Sequence, residues 1–178
     1  MADLIKWSKN NWKNLDKDFI FDLGNITEKT FDVTAQKWAL VIANQGRGVE
    51  KNQLRNFYDK VLELYQKSVN MEKEEYKTKL LPFIKMLRSK VYYAKNKENG
   101  KVNDAFVEFM EYSLNQIDED KKKFENFKYL FEAIMGFYMK EKIIKLYFNR
   151  KTKKQVIDCK KSLIFLEETF KNYECKEN

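Results

Sequence analysis

The sequence has 178 residues, of which 43% are hydrophobic, 15% aromatic and 35% charged, and it carries a net charge of +8. Five glycines and one proline are too few for the frequent turns of an all-β protein. The sequence contains no histidine, which is the usual general base near neutral pH and the commonest metal ligand, and this argues against most hydrolases. The composition therefore predicts an all-α protein, one helical bundle of five to six helices over residues 1–178, without a metal or cofactor.

The two cysteines, Cys159 and Cys175, have no cysteine or histidine neighbours at the spacing of a zinc site, and they do not make a disulfide framework. This pattern fits a reducing cytoplasm. The opening MADLIKWSKNNWKN lacks the apolar core of a secretion signal, and no run of eighteen apolar residues follows anywhere. Neither secretion nor membrane spanning is predicted.

The first part of the chain, residues 1–26, reads as an arm that is either extended along the domain or disordered, with alternating Phe19, Phe21 and Leu23. Thr27 is a suitable N-cap for a helix that ends at the glycines of positions 46 and 48. The apolar positions of that helix are Phe31, Ala35, Trp38 and Ile42. Residues 38–43 also fit a short strand, but the sequence favours the helix.

A second helix is predicted from about residue 50 to 69, with one apolar face formed by Leu54, Phe57, Val61, Leu64 and Tyr65. Residues 70–79 are a linker or a helical lead-in to residues 80–97, where Pro82 fits only a first turn or a kink. Residues 80–97 place apolar side chains on one side of a helix about 27 Å long. That apolar side consists of Leu80, Phe83, Ile84, Leu87, Val91 and Ala94.

Beside this apolar side, basic and tyrosine residues form a stripe at positions 85, 88, 92 and 95, with Lys90 and Lys97 on its far flank. The simplest interpretation is a solvated helix surface, which any amphipathic helix of a basic protein shows. However, residues 46–100 carry thirteen basic and seven acidic side chains, whereas residues 1–45 and 101–148 are nearly balanced. This concentration of positive charge favours a polyanionic partner.

N-cap residues and the spacing of aromatic residues predict the remaining helices. Asn103 is predicted to cap a helix with Phe106, Phe109, Met110, Leu114 and Ile117 inward. The acidic run 118–120 opens a longer helix to about residue 148, whose inward row is Phe124, Phe127, Phe131, Ile134 and Tyr138. Ala133 and Gly136 are expected to allow close approach of a neighbouring helix. Thr152 and Gln155 have capping-box spacing and predict a last helix within a C-terminal extension, residues 149–178.

No catalytic pattern emerges. Cys159 lies beside lysines but on an apolar helix face, where an inert buried thiol is the simpler interpretation, and neither a Walker sequence nor GxGxxG occurs. Basic helix surface with interleaved aromatics suits contact with a nucleic-acid backbone, because lysine and arginine neutralise phosphates and a tyrosine stacks on any base. The RNA-binding candidates are Lys51, Arg55, Lys85, Arg88, Lys90, Tyr92, Lys95 and Lys97.

Three segments in order, NQLRNFYDKVLELY at 52–65, LPFIKMLRSKVYYAKNK at 81–97 and FENFKYLFEAIMGFYMK at 124–140, resemble the small helical subunit of type III-A CRISPR-Cas (Csm) interference complexes. The resemblance covers roughly residues 46–148, and Lys51-Asn52 replaces the threonine-serine pair that often precedes the first motif. Arg55 matches a basic position of the first motif, and Arg88, Lys90 and Lys97 match basic positions of the second.

This resemblance implies a non-catalytic, all-helical subunit that stacks in several copies along the complex. Its implied partners are guide RNA, target RNA and the other subunits. Two alternatives remain open at the level of sequence. One is a helical protein–protein adaptor with no direct role in nucleic-acid binding, and the other is a cryptic enzyme with a carboxylate or lysine cluster in a cleft.

Overall fold

The structure is a computed structural model that describes residues 19–46, 48–97 and 100–151, with side chains as far as Tyr138 apart from Asn44. These described residues contain no strand, and their five helical segments confirm the all-α prediction. We number the segments α1 (Thr30–Thr34, a π-helical turn, and Ala35–Asn44), α2 (Lys51–Val69), α3 (Lys73–Glu75, the π-helical turn Tyr76–Leu80, Leu81–Lys85 and Leu87–Asn96), α4 (Asp104–Gln116) and α5 (Lys121–Lys151).

The chain divides into two compact units, residues 1–142 and 143–178. All packing described below lies within the first unit, and the prediction of a single domain remains a prediction. Residues 1–18 of the predicted arm lie outside the described part of the chain. So do the predicted C-terminal helix with its Thr152 and Gln155 cap, and both cysteines.

The N-terminal segment 19–25 is attached to the bundle by its alternate side chains. Phe19, Phe21 and Leu23 are buried, whereas Ile20 between them is exposed. The indole Nε1 of Trp38 in α1 donates to the Phe19 carbonyl at 3.0 Å, and the Leu23 carbonyl accepts from the Asn126 amide of α5 at 2.8 Å. The segment is therefore held by both side-chain burial and backbone hydrogen bonds.

The end of α1 and the start of α4 cap one another. Asn103 Oδ1 accepts from the backbone N–H of Phe106 at 3.0 Å, which confirms the predicted N-cap. The Asn103 amide nitrogen donates to the carbonyls of Ile42 and Gln45 at 2.7 and 3.0 Å, and Gln45 Oε1 accepts from the N–H of Ala105 at 2.5 Å. Orphan carbonyls of one helix and orphan N–H groups of the other are thus satisfied together.

The chain reverses after α1 at two glycines with left-handed backbone. Gly46 has φ of 56° and Gly48 has φ of 70°, a region that glycine enters without a Cβ penalty. A Cβ on Gly48 would lie 2.7 Å from the Ala43 carbonyl oxygen. Residues 38–43 lie within the helix that these glycines follow, so the alternative of a short strand is wrong.

Helix α3 accommodates Pro82 directly after its π-helical turn. Leu81 donates its N–H to the Tyr76 carbonyl, five residues back, so the backbone is already widened where the proline ring needs space. Of the two alternatives for residues 70–79, a linker or a helical lead-in, the structure shows a helical lead-in from Lys73 onward. The predicted burial of Phe83 is wrong, because its side chain is 55% exposed and lies at the edge of the buried arc around Ile84 and Leu87.

The core is built around the aromatic row of α5, which is buried as predicted at positions 124, 127, 131, 134 and 138. Phe131 lies at its centre, and its ring centroid is 5.6 to 6.0 Å from those of Tyr58, Phe106, Phe109 and Phe127. Tilted and edge-on contacts between aromatic rings stabilise the core beyond the contribution of apolar burial alone.

Gly136 of α5 was expected to allow close approach of a neighbouring helix, but no helix packs against it in the described part of the chain. It is exposed, and a Cβ added there would meet no atom of the described chain within 4 Å. Ala133 is half-buried against the core. Among the residues that the structure describes, no helix combines the length and apolar character needed to cross a bilayer.

Candidate nucleic-acid interface

Helix α3 presents three faces to three surroundings. Its core face is buried in the bundle and consists of Leu80, Ile84, Leu87, Val91 and Ala94. Its second face, here called the α4-facing stripe, consists of Lys85, Arg88, Tyr92 and Lys95. Its third face, here called the outer stripe, consists of Phe83, Met86, Lys90, Tyr93 and Lys97, all of them exposed. The sequence-predicted candidates of α3 are therefore divided between two different faces.

In the α4-facing stripe, Lys85 reaches the end of the neighbouring helix. Its Nζ donates to the Leu114 carbonyl at 2.5 Å, one of the last carbonyls of α4, which lack a partner within their own helix. A cation at this helix end is also favoured by the helix dipole. Burial lowers the pKa of Lys85, and the nearby Arg88 lowers it further.

Arg88 is held by α4 through two side chains. Its Nη2 donates to the Asn115 side-chain oxygen, and its Nε lies 3.9 Å from Glu111 Oε1. The guanidinium is therefore positioned by α4, and its buried Nε–H makes no hydrogen bond to the residues that the structure describes.

The other two members of the α4-facing stripe also have partners on α4. Lys95 forms an ion pair with Asp104. Tyr92 is 39% exposed, and burial, followed by the nearby Glu111 carboxylate, raises its pKa. The basic stripe is thus largely an interhelical contact with α4, which spacing within α3 alone did not indicate.

Glu108 of α4 lies among these charges and is half-buried. Its pKa is raised from the usual 4.5 to about 7, chiefly by burial; the nearby Asp104 and Glu111 also raise the pKa, and Lys95 lowers it. The carboxyl group therefore takes up a proton near neutral pH, where an exposed glutamate is ionised.

We expect Glu108→Gln to stabilise the protein at pH 8 by about 1 to 2 kcal/mol, a value reduced for partial exposure. The pKa of about 7 in the folded chain lies above the unfolded value, so the folded state binds the proton more tightly and stability falls as pH rises from about 4.5 to about 7. Urea unfolding at several pH values measures this. Glu72→Gln, at an exposed position, controls for net charge, and an unchanged pH dependence in Glu108→Gln would contradict the burial effect.

The outer stripe combines exposed cations with exposed apolar groups. Within the described chain, no carboxylate lies within ion-pair distance of Lys90 or Lys97. Tyr93 is 71% exposed, Phe83 55% and Met86 44%. Phe83 and Met86 were not predicted to lie on the surface, although their 3-4-3-4 spacing with Lys90, Tyr93 and Lys97 places all five on one helix face.

The start of α2 lies at the same end of the bundle as the end of α3. Glu50 donates its N–H to the Lys101 carbonyl at 3.3 Å, and Lys101 donates its own N–H to the Ala94 carbonyl at 3.2 Å. Lys51, the first residue of α2, is exposed. Arg55, one turn later, pairs with Asp59 at 2.8 Å, and its side chain remains 62% exposed.

The acidic run 118–120 forms ion pairs with lysines before and after it in the chain. Glu119 lies 3.3 Å from Lys73 and 2.8 Å from Lys77, and Asp118 pairs with Lys123 at 2.5 Å. In the described ranges, no group of three or more histidine, cysteine, aspartate or glutamate residues is arranged to hold a metal ion. The acidic run 118–120 therefore ties α3 and α5 to the loop before α5.

Comparison with known protein families gives a match to the family described as Csm2 Type III-A over residues 27–144. The matched region is more than half of the chain, and it extends from the start of α1 into α5. It begins earlier than residue 46, where the sequence resemblance began, so α1 belongs to the shared region. No curated protein and no solved structure matches the chain.

Proposed function

The chain belongs to the Csm2 Type III-A family, whose members are small subunits of the type III-A CRISPR-Cas complex, and we propose that it contacts RNA there through the phosphate backbone. In this proposal the subunit is non-catalytic and cytoplasmic, lies along guide and target RNA, and does not read their sequence. Its partners are the other subunits and further copies of itself.

The observation that carries this proposal is the set of exposed cations on α2 and α3. Lys51, Lys90 and Lys97 are exposed, and no described carboxylate forms an ion pair with them. Arg55 is paired only with the exposed Asp59, and such surface pairs are weak. Cations without a strong internal partner are available to neutralise phosphates and release the counterions of RNA.

The α4-facing stripe has a smaller part in this proposal. Lys85, Arg88 and Lys95 already bind Leu114, Asn115, Glu111 and Asp104 of α4. A phosphate would have to replace these partners, so the gain per contact is reduced. Tyr92 shares this restriction because it lies beside the Glu111 carboxylate of α4.

The absence of histidine from the sequence supports a non-catalytic role, because general acid–base catalysis near neutral pH most often uses this residue. Glu108 is flanked by Asp104 and Glu111 on its own helix, and none of the three lines the cavity bordered by Ile20, Tyr112 and Gln116. Binding strength in this proposal comes from neighbouring copies, which place linked sites along one strand and raise the effective concentration.

The test is the double reversal Lys90→Glu with Lys97→Glu. Both side chains are exposed, so we expect the fold to persist while affinity for single-stranded RNA falls about tenfold or more at low salt. If the four cations Lys51, Arg55, Lys90 and Lys97 neutralise about four phosphates, log K against log salt has a slope near −3, and the variant's slope is near −1.5. Fluorescence anisotropy with two unrelated RNAs of equal length measures both quantities.

The matched control is Lys29→Glu with Lys122→Glu, which changes net charge equally at exposed positions outside α2 and α3. Equal weakening by both pairs would point to net charge rather than to a defined surface. A flat salt dependence, or a hundredfold preference for one RNA, would contradict backbone contact. A protein that enters the complex yet never shifts RNA at low salt would be the helical adaptor.

A further inference from the structure

The proposed function uses the lysines of the outer stripe but leaves its exposed rings unexplained. We propose that unpaired bases of a single RNA strand stack on Tyr93 and Phe83, while Lys90 and Lys97 hold the adjacent phosphates. This inference rests on the proposed function and adds the mode of contact. In this mode both the bases and the phosphates of the RNA contact the outer stripe.

The geometry of the outer stripe suits this arrangement. Phe83 and Tyr93 are ten residues apart, which places their rings about 15 Å apart along the helix axis, so each receives a different base. Lys90 lies between the two rings, and Lys97 lies one turn beyond Tyr93. Rings that alternate with cations along one line are the pattern by which proteins bind a single strand, since the cations follow the backbone and the rings stack on bases.

The exposure of the rings separates Tyr93 from the neighbouring Tyr92. Tyr92 is 39% exposed and is engaged with Glu111, whereas Tyr93 is 71% exposed. Phe83 has no polar atom to hydrate, yet 55% of it is exposed. Two large rings that remain in solvent on one helix face are accessible to an external ligand.

The positive charge of α3 favours a polyanionic ligand over a second copy of this chain. Residues 76–97 contain seven basic residues and no acidic residue, and the outer stripe carries Lys90 and Lys97. A second copy of this chain bound through the same face would bring lysine against lysine, which is unfavourable. A strand that offers both phosphates and stacking bases complements the lysines and the rings together.

A consequence is a preference for unpaired RNA. The faces of bases inside a duplex are covered by their neighbours, so the rings gain nothing from a paired strand. Stacking is tolerant of sequence, because every base has a π-face. The inference therefore agrees with binding that ignores sequence and predicts discrimination between single and double strands.

The experiment compares Phe83→Ala and Tyr93→Ala with the parent chain at low salt, using fluorescence anisotropy and three ligands. The ligands are a labelled single-stranded RNA, an abasic strand of the same length and an RNA duplex. We expect each variant to lose about tenfold in affinity for the RNA strand and to bind the abasic strand as the parent does. Tyr93→Phe, which keeps the ring, is expected to bind as the parent does.

Ile20→Ala and Val69→Ala are the matched controls, because these apolar side chains are 55% and 54% exposed elsewhere on the first unit. Unchanged RNA affinity in both ring variants would overturn the inference, as would an equal loss on the abasic strand. If the ring variants kept their RNA affinity but were no longer incorporated into the complex, the outer stripe would be a protein-binding surface and the inference would be wrong. Failure of the proposed function is distinguishable, because the parent would then bind neither strand and Lys90→Glu would have no effect.

Discussion

Replacing Phe131 by alanine is expected to lower the free energy of unfolding by about 3 to 5 kcal/mol, the usual cost of emptying a large aromatic site in a core. The side chain is fully buried, and its ring contacts four other aromatic rings from α2, α4 and α5. Since three helices meet at this ring, the cavity cannot be closed by moving one side chain. Urea unfolding followed by far-ultraviolet circular dichroism measures the change.

Phe83→Ala is the matched control, because it removes the same ring from a position that is 55% exposed. We expect this variant to cost about 1 kcal/mol or less, as surface substitutions generally do. A cost below about 1 kcal/mol for Phe131→Ala would mean that the aromatic row of α5 is not the centre of the core. The comparison isolates burial, since residue type and substitution are identical.

Replacing Asn103 by alanine is expected to cost about 2 to 4 kcal/mol. About 1 kcal/mol comes from the lost N-cap of α4, and the remainder comes from the two hydrogen bonds to the carbonyls of Ile42 and Gln45, at about 0.5 to 1.5 kcal/mol each. The side chain spans the end of α1 and the start of α4. Its loss therefore weakens both helix ends at once, which the same urea titration measures.

Asn103→Ser separates the two contributions. Serine retains an oxygen that can accept from the Phe106 N–H, but it lacks the amide group that donates to α1. We expect its cost to be about half that of alanine. Stability equal to the parent would show that the bonds to α1 add nothing, and a serine variant as weak as alanine would show that the cap adds nothing.

Local sequence determined the elements that local forces control. The spacing of the α5 aromatics predicted the buried row because side chains at i, i+3, i+4 and i+7 share a helix face whatever lies opposite. Asn103 could be predicted as an N-cap because its side-chain oxygen accepts from an N–H only three residues along the chain. The helix stop after α1 followed in the same way from glycines that adopt positive φ.

The boundaries of the candidate interface depended on packing between distant segments. Spacing placed Lys85, Arg88 and Lys95 off the apolar face, as observed, but the carboxylates, amide and carbonyl that bind them belong to α4. The same packing decided that Phe83 remains in solvent, although its angular position adjoins the buried arc. A periodic pattern fixes the direction in which a side chain leaves its helix, whereas only the tertiary structure decides which neighbour, or solvent, it meets there.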